Sequence, residues 1–237
     1  MNGRMLNLSQ AAEHAHVEAN ELRHFAQRGE IEAVKHGDDW LFDHRTLDEW
    51  AQRNLLSASE RNLAAQHRAM MDEDRRLHRS GWGVAELFRS GAVDLRLTAK
   101  AKAGIIRDMT DLAARSGRVY DDEWLFQALM EREEAASTAI GEGVALLHPR
   151  FHDPYVFSES FIAYGRGARP VFFGAPDGEG TRHFFLICAV DHSEHLHILA
   201  RLAMLAHGTG LIERLDAAED AESVVQAVEE CEKEYQN

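Results

Sequence analysis

From Arg53 to Ser80 the chain carries neither glycine nor proline and is rich in Ala, Arg, Leu, Met, Glu and Gln. These are strong helix formers, and a span without breakers has no local reason to turn. The stretch therefore predicts a helical connector between a small module and a larger domain, with expected boundaries 1–52, 53–80 and 81–237. Leu56, Leu63, Met70 and Leu77 recur every seven residues, as in one column of a coiled-coil seam. Ser59, Gln66 and Glu73 fill the companion column. The stripe thus reads first as a helix resting on its own domain, with a homodimer through 53–80 as the alternative.

Charge and cysteine usage narrow the setting. Against 26 Lys and Arg stand 40 Asp and Glu, a net charge of -14. Such a molecule as a whole repels nucleic acid and anionic membranes, and suits partners with a basic patch. Cys188, in an apolar run, and Cys231 make no disulfide framework, which points to a reduced, cytoplasmic compartment. No apolar signal core opens the chain. Its longest hydrophobic runs, FFLICAV and ILARLAMLAHGTGLI, are short or broken by Arg and Gly, so no membrane span is expected.

In the small module, Leu8-Ser9-Gln10-Ala11-Ala12 opens a helix with Ser9 as the expected N-cap. Leu22, Phe25 and Ala26 mark a second helix that stops at Gly29. Ile31 to Val34 and Trp40 to Phe42 are expected as strands around the turn His36-Gly37-Asp38-Asp39, and Leu47-Asp48-Glu49-Trp50 begins a closing helix. This order resembles the excisionase/MerR-like winged helix-turn-helix: an Ala-Ala helix, a recognition helix ending in Gly, a Gly-containing wing with Trp, and a final Leu-x-x-Trp. The resemblance implies that Arg23, His24, Gln27 and Arg28 lie on or near a DNA-facing helix, with Lys35 and His36 at the wing. The electrostatics oppose it. Five basic residues face ten acidic ones through Gln52, with Glu18 and Glu21 at the start of that helix and Asp38 and Asp39 in the wing. DNA affinity rests largely on phosphate neutralisation by Lys and Arg. Two readings stay open: a DNA reader, or the same fold turned to protein docking.

The large domain alternates element types. Helices are expected over Trp82–Phe88, Ala99–Ser116, Asp121–Arg132, His195–His207 and Ala218–Glu234. Strands are expected over Val93–Leu97, Val144–Leu147, Phe161–Tyr164, Val171–Phe173 and Phe184–Val190. Mixed in this order, they predict an α/β domain in which helices flank a mixed central sheet.

Within it, Arg132 to Arg150 reads REEAASTAIGEGVALLHPR. A histidine at the end of a short apolar strand, followed by proline, suits reversible chemistry on an imidazole better than core packing. Here the chain resembles the fructose/mannitol-type and nitrogen-regulatory IIA proteins of the bacterial phosphotransferase system, whose phosphorylated histidine follows the same Arg-Glu, Ser-Thr-x-Ile-Gly-x-Gly and apolar run. The resemblance extends from about Val84 to Cys231. It implies His148 as phosphoryl acceptor, Arg132 as cationic partner, Ser137 and Thr138 as hydroxyl donors, and Gly141 and Gly143 as a tight turn permitting close backbone approach. The run Glu194-His195-Leu196-His197-Ile198-Leu199-Ala200-Arg201-Leu202-Ala203 resembles the family helix that brings a second histidine to the first. That places His195 in hydrogen bonding and phosphoryl stabilisation, aided by the start of a helix, where amides favour an anion.

His192, His195 and His197 have metal-like spacing, but no Cys or carboxylate set accompanies them, and neither metal nor cofactor is expected. Asp121-Asp122-Glu123 reads as a solvated helix start. The family usually has proline directly before its active histidine; this chain has Leu147 there and Pro149 after it. The resemblance implies a cytoplasmic phosphocarrier that takes phosphoryl from an HPr-type protein, with a regulatory output through the N-terminal module. The alternative is a non-catalytic transcriptional regulator or adaptor whose IIA-like domain only senses a partner.

Overall fold

Asn7 starts the first helix. Its side-chain oxygen accepts from the Gln10 amide while the Gln10 side chain accepts from the Asn7 amide, the reciprocal capping box that an Asn with Gln three residues later can make. Ser9 lies inside the helix, so the expected cap is two residues late. The computed structural model describes residues 4–37, 39–57, 83–90, 92–150 and 156–236. Leu63, Met70 and Leu77 of the heptad stripe, and Asp38 of the wing, lie outside them. Two compact units result, Met1–Ser80 and Gly81–Asn237.

In the first unit, strand β1 (Met5–Asn7) leads into α1 (Leu8–His14) and α2 (Ala19–Arg28). Gly29 closes α2 in the left-handed conformation at φ 71°, which glycine adopts without steric cost. β2 (Val34–His36) and β3 (Asp39–Asp43) form the wing hairpin, with Val34 opposite Leu41 and His36 opposite Asp39. β1 adds a third strand by pairing Leu6 with Phe42. The hairpin strands differ from expectation because Ile31 does not pair; it is buried instead, at 4% exposure. α3 (His44–Ser57) starts three residues before Leu47, since Asp43 Oδ1 accepts from the amides of Arg45 and Thr46.

The second unit contains α4 (Val84–Ser90), β4 (Val93–Leu97), α5 (Lys102–Ala114), α6 (Asp122–Ala135), β5 (Ala139–Gly141), β6 (Val144–Leu147), β7 (Phe161–Val171), β8 (Thr181–Cys188), α7 (His192–Gly208), α8 (Leu211–Ala217) and α9 (Ala221–Gln236). Its sheet has the order β4-β7-β8-β6-β5 and is mixed: β4 runs parallel to β7 and β6 parallel to β8, while β7–β8 and β5–β6 are antiparallel. α5 and α6 cover one face, where Ile105, Ile106, Met109 and Leu129 meet Phe161, Phe184 and Leu186. The other face carries α4 and α7. From His195 to Ala206 every residue of α7 is buried, as befits a helix enclosed on all sides.

Several element boundaries move. Phe161–Tyr164 and Val171 belong to one strand, β7, whose register slips between Arg166 and Val171, where Pro170 cannot donate to the ladder. Phe172 and Phe173 lie beyond it. Gly165, at the centre of β7, lets Leu97 and Met109 close over the strand; a Cβ there would stand 2.5 Å from both. The expected C-terminal helix is α9, which starts at Ala221 where Asp220 accepts from the Ser223 amide, and a further short helix, α8, precedes it.

Candidate functional site

β6 and β8 run parallel in register, Leu147 beside Leu186, so the residues just past their carboxyl ends emerge at the same edge of the sheet. Such carboxyl ends are where open α/β sheets place their sites. His148 directly succeeds β6 and is fully buried at 0% exposure. Arg132 comes from the last turn of α6, and its Nε–H donates to His148 Nε2 at 3.0 Å. The same guanidinium donates through Nη1 to the Ala136 carbonyl at 2.8 Å, which fixes the plane of the fork against the end of its own helix. His195, also fully buried, brings its ring from α7 to 4.9 Å from that of His148, at 55° between planes.

These contacts determine the tautomer. Arginine only donates, so His148 Nε2 must present its lone pair to it. The ring proton then sits on Nδ1, which donates to the Leu146 carbonyl at 2.7 Å. Nε2 is left as an unprotonated, nucleophilic nitrogen beside a fixed cation. That arrangement can accept a phosphoryl group and neutralise its charge.

Ser137 and Thr138 have other partners. Thr138 donates both its amide (2.8 Å) and its hydroxyl (2.6 Å) to Glu133 Oε2, while Lys102 Nζ meets the other oxygen, Oε1, at 2.7 Å. Ser137 Oγ donates to the Phe173 carbonyl at 2.8 Å and accepts from the Ala139 amide. The two hydroxyls therefore brace the segment joining α6 to β5. Gly141 and Gly143 form the β5–β6 turn with φ of 99° and 75°, tied down where the Glu142 amide donates to Asp177. They stand at the start of β6 and His148 just past its end, about 16 Å away at strand rise. The expectation that they approach the phosphoryl site is corrected: the tight turn exists, at the far end of the strand.

His195 is also not at a helix start. α7 begins at His192, and its leading amides are occupied: Asp191 Oδ1 accepts from the Glu194 amide, and the His195 amide bonds the Asp191 carbonyl. A carboxylate already holds the anion position there, so His195 contributes its ring rather than a helix terminus. His197 lies on the same helix, buried at 5% exposure. Asp121 caps α6 by accepting from the Trp124 amide at 2.8 Å.

A second polar cluster has no signature in the sequence. Tyr164 Oη bonds His183 Nδ1 at 2.8 Å, and His183 Nε2 faces Asp216 at 3.5 Å. Burial, the main cause, pushes the His183 imidazole down to about 4, with Asp216 opposing, and raises the Tyr164 phenol. His183 pairs with Val144, so this cluster sits at the opposite end of the strands from His148.

In the first unit, Arg23, His24, Gln27 and Arg28 are exposed along α2, opposite the buried Leu22 and Ala26. Arg28 pairs with Glu30 and lies over the Phe25 ring at 5.1 Å. Lys35 and His36 are exposed on β2.

Comparison with known proteins supplies the deciding observation. The family model described as "Phosphoenolpyruvate-dependent sugar phosphotransferase system, EIIA 2" matches residues 86–231. The chain belongs to that family. A helix-turn-helix domain model also matches residues 5–55, ahead of the EIIA domain. Among relatives, a fructose-specific EIIA component from Haloferax volcanii is 32% identical over 125 residues, covering 52% of this chain and 79% of its own. A nitrogen regulatory protein from Bradyrhizobium diazoefficiens is 29% identical over 120 residues, covering 49% and 76%. A fructose-specific EIIABC component from Bacillus subtilis is 27% identical over 152 residues, 63% of this chain but only 24% of that longer protein. The crystal structure of the nitrogen regulatory protein IIA-Ntr from Neisseria meningitidis superposes with a TM-score of 0.55 at 26% identity, over 61% of this chain and 98% of that one. Among the described residues no helix is long and apolar enough to cross a membrane.

Proposed function

We propose that this EIIA protein accepts a phosphoryl group on Nε2 of His148 from an HPr-type phosphohistidine carrier and converts its phosphorylation state into a regulatory output through the helix-turn-helix unit. The observation that carries the reading is the pair of hydrogen bonds that leave Nε2 unprotonated against the Arg132 guanidinium, 3.0 Å away.

In the transfer, the donor's N–P bond breaks as the bond from Nε2 to phosphorus forms. The donor imidazole leaves with its electron pair, and the proton stays on His148 Nδ1, still donated to the Leu146 carbonyl. Arg132 then turns its donors from the ring lone pair to the phosphoryl oxygens, where a charge-assisted contact is stronger than one to neutral nitrogen. The His195 ring, 4.9 Å from the His148 ring, stabilises the new group. Ser137 and Thr138 act indirectly, by bracing the segment between α6 and β5, while Gly141 and Gly143 shape the turn at the far end of β6. Partners of this kind place the protein in the cytoplasm. In the N-terminal unit the exposed Arg23, His24, Gln27, Arg28 and Lys35 form the surface offered to DNA, with Arg28 partly neutralised by Glu30.

A second reading is favoured by the complete burial of His148 and by Leu147 in place of the family's proline. There the EIIA domain senses a phosphocarrier without accepting phosphoryl. Intact mass after incubation with phosphoenolpyruvate, enzyme I and HPr separates the two. One acid-labile phosphoryl adduct on wild type and none on His148→Ala establishes the acceptor. No adduct on either, with carriers from the native host, leaves the sensor.

A further inference from the structure

In the first unit, two imidazoles converge on the two oxygens of one carboxylate. His14, the last residue of α1, places Nε2 at 2.5 Å from Asp48 Oδ1. His44, the first residue of α3, places Nδ1 at 3.4 Å from Asp48 Oδ2, one helical turn ahead of it. The rings are 4.5 Å apart, and one donor atom from each of the three residues lies within 4.8 Å of the other two. Among the described residues this is the one group of histidine, cysteine and carboxylate donors that gathers so closely; the histidines of α7 do not.

We propose that His14, His44 and Asp48 form a three-ligand site for a borderline divalent cation of the zinc type, which staples the end of α1 to the start of α3. Imidazole nitrogen and carboxylate oxygen at about 2.0–2.2 Å from such an ion stand about 3.4 Å apart in a tetrahedron. Of the two observed donor pairs, His44–Asp48 already stands at that value and His14–Asp48 is closer, at 2.5 Å; the spacing adjusts by rotation of side chains that have room to move: His14 is 21% and His44 34% exposed. Asp48, at 8%, is the buried anchor. The exposed side supplies the path of entry and the fourth position, for water. Two protonated imidazoles at this ring spacing would repel, whereas two neutral rings and one carboxylate make a donor set of net charge minus one that a dication fits. Asp48 accepts from His14 in the absence of metal; the cation takes the Nε2 lone pair once the ring proton has moved to Nδ1, and the carboxylate then faces the ion instead of the N–H.

The consequence is positional. α2, with Arg23, His24, Gln27 and Arg28, comes after the α1 end of the staple, and the wing hairpin runs directly into its α3 end at His44. A cation fixing that junction fixes the frame that presents both.

The test uses the full chain, stripped with chelator and titrated with Co2+ followed by Zn2+ competition. Visible d–d absorption and calorimetry read occupancy. Wild type should bind one tetrahedral Co2+. His14→Gln, His44→Gln and Asp48→Asn should each weaken it by roughly tenfold or more, and His14→Cys should restore the site with a charge-transfer band. His195→Ala and His197→Ala should leave it unchanged. Undiminished binding in the three ligand variants, or loss confined to the α7 variants, overturns the assignment. Should Asp48→Asn fail to fold, the two exposed histidine variants decide alone.

Discussion

Replacing Glu133 by glutamine tests the bracing that sets the segment ahead of β6. Its buried carboxylate, 2% exposed, receives three contacts: the amide and hydroxyl of Thr138 on Oε2 and the Lys102 ammonium on Oε1. Glutamine is close in shape but neutral, with one acceptor in place of two. If its oxygen serves Thr138, its NH2 group faces Lys102. Hydrogen bonds to a charged acceptor contribute about 1.5–3 kcal/mol and those to a neutral one about 0.5–1.5, so the two Thr138 contacts together weaken by about 2 kcal/mol. Lys102 is 37% exposed and turns to water, which limits the lost ion pair to under about 1 kcal/mol. The sum, about 2–3 kcal/mol, corresponds to a fall of about 4–12 °C in Tm for a domain of this size. Thermal unfolding followed by circular dichroism measures it, together with Thr138→Val and the double variant. Because both substitutions act on one contact, the double variant should lose clearly less than the two singles added. Full additivity, or a Glu133→Gln protein that melts with wild type, refutes the account of the brace.

Other outcomes rest on the same geometry. Arg132→Lys keeps a cation but loses the rigid fork, so phosphoryl acceptance by His148 should slow by about tenfold or more, read by rapid-quench transfer from phospho-HPr; an unchanged rate removes Arg132 from the site. Gly143→Ala forces a side chain into φ 75° and should cost about 1–2 kcal/mol of stability, while folded protein still accepts phosphoryl at the wild-type rate, since the turn lies at the other end of β6. His183 has its pKa lowered from 6.5 to about 4, so between those values the unfolded chain binds a proton that the native one refuses. Stability then rises with pH and is lost as pH falls from 6.5 towards 4, by at most on the order of 3 kcal/mol. Urea unfolding at pH 7 and 4.5 should show this loss in wild type and a smaller one in His183→Gln; equal losses exclude His183 as its source. Cys188 and Cys231 are fully buried, and burial pushes the Cys188 thiol well up, so a thiol reagent should find neither in native protein and both after unfolding; rapid native labelling contradicts that packing.

Much of the candidate site was legible through the family resemblance rather than from local chemistry. His148 and His195 lie in motifs that name them, and Arg132 heads the run that leads to His148. What the sequence concealed is which groups these residues leave for others. Ser137 and Thr138 look like phosphoryl donors until Glu133 and the Phe173 carbonyl are seen to hold them, and both partners are set by tertiary packing. Gly141 and Gly143 reveal their turn but not the end of β6 at which it falls. In the fold, the α7 start was misplaced because His192, Ser193 and Glu194 are polar, although Asp191 is a standard cap for them. β1, of three residues, is too short for any alternation to register, and it exists because Phe42 needs Leu6 beside it. The His14, His44 and Asp48 cluster was half legible: His44 and Asp48 share a helix face, but His14 lies on another helix and no periodicity points to it.

The proton on His148 Nδ1 rests on a main-chain carbonyl two residues back along its own strand. No amino-acid substitution at position 146 deletes that oxygen, and the backbone path that holds it is part of the sheet. The Nδ1 side of the ring is thereby insulated from change in the side chain at position 146, while Nε2 still depends on Arg132. Under the proposed reading, the surfaces that choose a donor and the module that responds can change while His148 keeps its tautomer. A domain wired this way is a portable chemical port, suited to being joined to unrelated partners.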